Sequence, residues 1–156
     1  GSRKELVKAV ELSDKLLRAT INKDESTVAE IIGEAHQANT SPKFYNNEQA
    51  LRSVVIMAYL SSVDDYIRFE ELASGKGYID LLFLPALQSS KPALIIELKW
   101  NKSAEKAIQQ EQDLQYWKFA KQFRYKGKIL LVGINYNSKT KKHTCKIKEI
   151  ESLEKN

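Results

Sequence analysis

The chain has 156 residues, 42% of them hydrophobic, with three prolines and a formal net charge of +5. That length suits one domain with a real core, and the composition excludes a disordered chain. No run of about 18 apolar residues occurs, which excludes a helical membrane span, and the single cysteine, Cys145, excludes both an internal disulfide and a cysteine-rich zinc site.

Gly1-Ser2 reads as a cloning scar and is set aside, and no signal peptide is visible after it. A lone cysteine fits a reducing compartment, so a cytoplasmic location is expected. Residues 3 to 19 form an amphipathic pattern, with Leu6, Val10, Ser13, Leu16 and Leu17 near one face. Asp24-Glu25-Ser26-Thr27 can cap a second helix through about His36, with Val28, Ile31, Ile32 and Ala35 inward. His36 is a lone histidine, read as structural or exposed. Asn39 to Pro42 is a loop. A third helix starts at Asn46 or Asn47 and runs to about Leu60, with Leu51, Val54, Val55, Ala58 and Tyr59 as a strong stripe. Glu48 sits in its first turn, where an acid ordinarily offsets the helix dipole.

Tyr66 to Glu71 reads as a strand. The two glycines of Ser74-Gly75-Lys76-Gly77 turn it into a second strand carrying Ile79-Asp80-Leu81-Leu82-Phe83-Leu84. Pro85 to Pro92 is a loop, and Ala93 to Trp100 is a third strand, which makes an antiparallel meander. Ser103 starts a long helix to about Phe123, with Ala104, Ala107, Ile108, Leu114, Trp117 and Ala120 buried and Glu111 interrupting the stripe. Lys128 to Tyr136 is a strand too apolar for an edge. Asn137 to Thr140 turns it back into a weaker strand, Thr144 to Ile150, and the polar tail 151–156 is expected to fray. The extra helices thus cover about residues 3–38, and the core about 44–150.

Chemistry concentrates on the second and third strands. Side chains alternate along a strand, so Glu97 and Lys99 share a face while Ile96 and Leu98 share the other. Glu-x-Lys is common on solvated strands, where it means nothing more than exposure. Here the flanking residues are apolar on both sides, which reads as strands covered on both faces. An acid and a base there are expensive to bury unless they hold something. A divalent cation explains the pattern best. Asp80 and Glu97 supply hard oxygen ligands, with Lys99 beside them to hold or activate a water.

These residues resemble the signature of the PD-(D/E)XK nuclease superfamily. They are similar in particular to the nuclease-like domain at the C-terminus of bacterial AAA-ATPase-like proteins. The correspondence covers roughly residues 40–150: Glu48, then Ser74-Gly75-Lys76-Gly77-Tyr78-Ile79-Asp80, Ile95 to Lys99, Ala107 to Gln110 with Tyr116, and Val132-Gly133-Ile134. Tyr78 stands where that family usually has Arg, and Glu111 where an apolar residue usually follows the Gln. The resemblance implies an α/β, restriction-endonuclease-like core: helix, three-stranded meander, helix and strand in a mixed sheet flanked by helices. It makes residues 3–150 one nuclease-like domain. It also implies Asp80, Glu97 and Lys99 as the catalytic set. Mg²⁺ or Mn²⁺ would lie on Asp80, Glu97 and the Leu98 carbonyl, with Glu48 as an outer ligand or a hydrogen-bond partner in the metal site. Gln110 and Gln112 lie about 200° apart around a helix, so one of them at most faces such an ion. Gln110 matches the family's Ala-x-x-Gln, while Gln112 with Tyr116 matches the Gln-x-x-x-Tyr of exonuclease-like relatives.

From Leu114 to Lys148 there are ten Lys or Arg and no Asp or Glu. Such a segment is either a solvated surface or the grip on a polyanion. With the carboxylate pair beside it, nucleic acid is the better reading, and Lys118, Lys121, Arg124, Lys139, Lys141 and Lys142 are the expected backbone contacts. The function expected is metal-dependent hydrolysis of DNA, or of RNA, by one domain of a larger ATPase-like protein. The alternative is a catalytically weak or inactive nucleic-acid-binding module with the nuclease fold, or an assembly module joining copies of the same protein.

Overall fold

The longest apolar runs of the chain become the interior strands of one sheet. The computed structural model describes residues 2–39, 48–74 and 77–150. The expected helix start at Asn46 or Asn47, the middle of the Ser74–Gly77 turn and the tail lie outside the described residues. Two helices open the fold, α1 (Ser2–Ile21) and α2 (Glu25–Asn39), followed by α3 (Glu48–Ala58) and a short 3₁₀ turn, Leu60–Asp64. Then come β1 (Tyr66–Ser74), β2 (Gly77–Pro85), β3 (Ala93–Trp100), α4 (Ala104–Asp113), α5 (Trp117–Gln122), β4 (Ile129–Asn137) and β5 (Lys142–Ile150).

The strand order is β1-β2-β3-β4-β5. The first three strands form the antiparallel meander, β4 joins β3 in parallel, and β5 returns antiparallel. The parallel step requires a crossover, which α4 and α5 provide. The sheet is therefore mixed and covered by helices on both sides, an α/β architecture compatible with a restriction-endonuclease-like fold. On one face Leu81, Phe83, Leu94, Ile96, Leu98, Val132 and Ile134 pack against α1, α2 and α3. On the other, Leu82, Ile95 and Leu131 pack against Ile108, Tyr116 and Ala120. Each Leu or Ile so buried stabilises the fold by roughly 1.5–3 kcal/mol. The edge strands β1 and β5 carry charge instead, such as Arg68, Glu70, Lys146 and Lys148, which discourages pairing with other chains.

The long helix expected from Ser103 to Phe123 is broken into α4 and α5. Ser103 caps α4 as its side chain accepts from the Lys106 N–H at 3.0 Å. At the break Gln115 takes a positive φ of 54°. The reason lies in helical phase. After Glu111 an unbroken helix would turn the polar Gln115 inward. The extra left-handed residue exposes Gln115 and buries Tyr116 in its place. For a non-glycine residue this conformation costs on the order of 1 kcal/mol, which burial of the tyrosine ring outweighs.

His36 is buried, and its Nδ1 lies 2.7 Å from His143 Nε2, so this pair ties α2 to β5. Burial and the neighbouring His36 hold His143 at a pKa of about 4, and so neutral. No helix among the described residues is long and apolar enough to cross a membrane.

Gly133 marks where α4 lies closest to the sheet. A Cβ there would stand 2.6 Å from the Ala104 carbonyl oxygen and 2.8 Å from Ala107 Cβ. Neither backbone nor a helix alanine can yield cheaply. Gly133→Ala is expected to destabilise the protein by about 2–3 kcal/mol through overpacking, read as a lower urea midpoint at unchanged m-value. An unchanged midpoint would show that α4 docks more loosely than these distances state.

Candidate active site

The site arises where β2 and β3 stop pairing. Their backbone register runs Phe83↔Leu94, Leu82↔Ile95 and Leu81↔Ile96, and goes no further towards Asp80. One residue on, the Asp80 carboxylate replaces the backbone, and its Oδ2 accepts the Leu98 N–H at 2.8 Å. The strands open around that bond. Asp80 and Glu97 lie next to each other in the opening, with residue exposures of 9% and 5%. Edge strand β1 distorts at the same level, where Glu71 has a φ of 51° between the pairs Glu70↔Leu81 and Leu72↔Ile79.

Two buried carboxyls so close cannot both carry charge cheaply. Burial pushes Glu97 up to about 9. A hydrogen bond with Asp80 and the charge of Asp80 add to this, while Lys99 and Arg52 oppose it. Glu97 Oε2 is buried with no hydrogen-bond partner among the described residues. An orphaned hard oxygen beside a second carboxylate suits a divalent cation, so the residues present fit the ion that the sequence pattern implies. Among the described residues no group of three or more His, Cys, Asp or Glu converges on one cation position. Asp80 and Glu97 stand as a pair, with other ligands left to water and substrate.

Lys99 follows Glu97 on the same face and is half-buried. Its Nζ donates to Gln110 Oε1 on α4, and Gln110 Nε2 donates to the Tyr116 hydroxyl at 3.2 Å. The amide of Gln110 is thus oriented at both ends, and it holds the ammonium in place. Tyr116 in turn rests over the start of β2. A Cβ on Gly77 would meet the Tyr116 hydroxyl at 2.8 Å and Leu114 Cδ1 at 2.5 Å, so a larger residue there would have to push these side chains aside. Burial, with the charges of Glu97, Asp80 and Glu111, raises the tyrosine against the opposing Gln110 bond, and the hydroxyl keeps its proton. Of the two candidate glutamines, Gln110 is therefore the one that meets Lys99. The Gln112 side chain is half-buried, and its backbone carbonyl closes the turn at Gln115.

Two residues enter the neighbourhood that the sequence pattern did not announce. Glu111 is fully buried, with neither carboxylate oxygen hydrogen-bonded among the described residues. Burial pushes it well above the ordinary range, Glu97 and Asp80 push further, and Lys99 opposes. Its interruption of the α4 stripe is thus an acid pointed inward behind the carboxylate pair. The other is Arg52 of α3. Its Nη2 donates to Asp80 Oδ1 at 2.8 Å, while its Nη1 donates to Glu71 Oε1 at 2.8 Å and to Gln49 Oε1 at 3.1 Å. The only sequence signal for it is weak, namely Glu48 and Arg52 one helical turn apart beside the apolar stripe. Glu48 itself is exposed at the start of α3, where its charge acts on Arg52.

The basic residues divide between the two ends of the sheet. Lys139 and Lys141 occupy the β4–β5 turn and Lys142 begins β5. That turn is tied to the end of β3 by the Ser138 N–H donating to Asn101 Oδ1 at 2.7 Å, so it lies at the Lys99 end. Lys118 and Lys121 are on α5. Arg124 lines a groove at the opposite end with Pro85, Pro92, Tyr125 and Lys128. Lys102 and Lys106 were not expected. With Lys99, Gln109 and Gln110 they line a pocket of about 550 Å³ against α4.

A profile of the PD-(D/E)XK nuclease superfamily matches residues 46–146. No curated protein sequence matches the chain significantly. The matched segment takes in α3, the meander with its paired Asp80 and Glu97, the Lys99-bearing end of β3, the crossover helices and β4. That is most of the chain, and the chain belongs to the PD-(D/E)XK nuclease superfamily.

Proposed function

We propose that this protein is a divalent-metal-dependent nuclease that hydrolyses DNA phosphodiester bonds at the Asp80–Glu97–Lys99 site. The observation that carries the reading is the opening of β2 and β3. It pairs two carboxylates, one with an orphaned oxygen, beside a lysine fixed by Gln110. Asp80 and Glu97, with the Leu98 carbonyl, would hold Mg²⁺ or Mn²⁺; Glu48 is exposed, and its role is that of a more distant charge. When bound, the cation supplies Lewis-acid polarisation of the phosphate and a nucleophilic water at neutral pH. Lys99 orients that water, or offsets charge gathering on the phosphate oxygens, from a position it does not have to reorganise to reach. Lys102 and Lys106 favour the phosphate next along the strand, and the Lys139–Lys142 turn the one beyond. Such contacts read the backbone and carry no sequence preference.

DNA is favoured over RNA only through the resemblance described above. The same resemblance points to a bacterial domain attached to an ATPase-like protein, and the lone cysteine to a cytoplasmic one. One observation favours the rival reading, a binding or assembly module. The Arg52 guanidinium already neutralises Asp80, as it would in a centre that had given up its metal.

The test is a cleavage assay on single- and double-stranded DNA and on RNA, with and without Mn²⁺, alongside calorimetry. Wild-type protein is expected to bind Mg²⁺ or Mn²⁺ in preference to Zn²⁺, since the site lacks Cys and His. Asp80→Asn is expected to lose that binding. Unchanged affinity in this variant would sink the metal assignment. Binding to DNA without cleavage on any substrate would favour the rival.

A further inference from the structure

Asp80 has two carboxylate oxygens and both are engaged. Oδ2 is fixed by the Leu98 N–H at 2.8 Å, a bond that belongs to the sheet. Oδ1, the oxygen left to face a cation, is held by Arg52 Nη2 at 2.8 Å. Each oxygen keeps a second lone pair, but a divalent ion and a guanidinium on one buried carboxylate oxygen bring two positive charges into near contact. They repel each other, and each wants the in-plane approach to the carboxylate. The guanidinium is also doubly anchored. Nη1 bonds Glu71 Oε1 at 2.8 Å and Gln49 Oε1 at 3.1 Å, so Arg52 keeps two acceptors if it lets Asp80 go. Glu71 stands on the edge strand with a side-chain exposure of 58%, against 12% for Asp80. A short pivot about Nη1 would therefore carry the charge from a dry position to a wet one.

We propose that Arg52 is the resident cation of this metal site: its guanidinium holds Asp80 Oδ1 until a divalent ion takes that oxygen, and Glu71 is where Arg52 is then retained. The inference rests on the metal-site reading given above. Arg52 is a positioning residue in this account. It keeps Asp80 aimed at the opening, and it sets how much affinity a metal must bring to enter. If Asp80 is released about one-tenth of the time, apparent metal affinity is reduced about tenfold by the exchange. Glu71 works in the opposite sense: it already accepts from Nη1, and once Asp80 lets go it also takes the freed Nη2, so it stabilises the released Arg52 more than the held one.

Titration calorimetry with Mg²⁺ and with Mn²⁺ tests this on the full chain and four variants. Arg52→Gln is expected to bind about tenfold more tightly than wild type, and Glu71→Gln several-fold more weakly. Glu70→Gln removes the same charge one residue away, from a side chain that pairs with Arg68 at 3.3 Å, and is expected to leave affinity unchanged. In the double variant Arg52→Gln/Glu71→Gln, loss of Glu71 is expected to have no further effect, because nothing remains for it to retain. Equal or weaker binding by Arg52→Gln overturns the proposal. So does equal weakening by Glu71→Gln and Glu70→Gln, which would mark a general field effect. If Arg52→Gln does not fold, the two exposed glutamate variants still decide. Metal binding by wild type with no gain in Arg52→Gln defeats the exchange alone. Absence of binding in every variant defeats the metal site and the exchange together, whereas binding that emerges only in Arg52→Gln supports the exchange.

Discussion

Lys99→Ala is expected to lower the cleavage rate about 10²–10³-fold while leaving DNA affinity nearly unchanged. The asymmetry follows from how each quantity is built. Affinity for a polyanion comes from many cations, each displacing a counterion, and Lys99 is one among Lys102, Lys106 and the lysines of the β4–β5 turn. Rate depends on a charge placed in advance where negative charge develops, and Lys99 alone follows the carboxylate pair on its face of β3. Its ammonium is fixed by Gln110, itself fixed by Tyr116, so the donor meets the reacting group without first giving up its order. Lys99→Arg should not rescue the rate, since a planar fork cannot take the place of a compact ammonium bonded to one amide oxygen. Single-turnover cleavage and fluorescence anisotropy on the same oligonucleotide separate the two quantities. Parallel losses of affinity and rate would place Lys99 among the backbone contacts and leave the chemistry to other groups.

The second large effect is a dependence on pH carried by Glu97. Its carboxyl is pushed up to about 9, so the folded protein keeps a proton that the unfolded chain releases near 4.5. The native state then binds more protons between those values, and stability falls as pH rises through the window. His143 runs the other way but stays neutral down to about 4, so its influence ends once the unfolded histidine is also neutral, above roughly pH 7.5. From pH 7.5 to 9 the metal-free protein is therefore expected to lose thermal stability steadily. Glu97→Gln should reduce that slope and raise stability at pH 8 by on the order of a few kcal/mol. A residual slope belongs to Glu111, which burial pushes in the same direction. Metal binding should show the converse. Because a cation must displace the Glu97 proton, affinity should rise with pH by up to about tenfold per unit. Flat melting temperatures and flat metal affinity across this window would mean that Glu97 is already ionised.

Features whose physics is local could be read from the residues alone. Alternation on β3 puts Glu97 and Lys99 on one face, and the apolar runs around them identify strands buried on both sides, which is how the sheet is built. The meander sets the Asp80 strand beside that of Glu97, so the carboxylate pair could be read from the residues. The crossover from β3 to β4 was equally legible, because a helical pattern lay between two strands.

What remained illegible depends on how distant elements meet. Arg52 is 28 residues before Asp80, and nothing in its local pattern says that α3 crosses the sheet where the guanidinium reaches that carboxylate. Glu111 looked like a flaw in the α4 stripe because helical period identifies an inward face without saying what the face covers. Gln110 and Gln112 could not be told apart by type, and the choice fell to the contact of α4 with Gly133, which sets the rotation of the helix over Lys99. The break at Gln115 was hidden for a related reason, since a left-handed residue in a helical pattern is justified only by the Tyr116 ring it buries. Local period decides which side of an element faces inward. Only tertiary packing decides which charged groups then become neighbours, because that depends on crossing angles and close approaches between residues far apart in the chain.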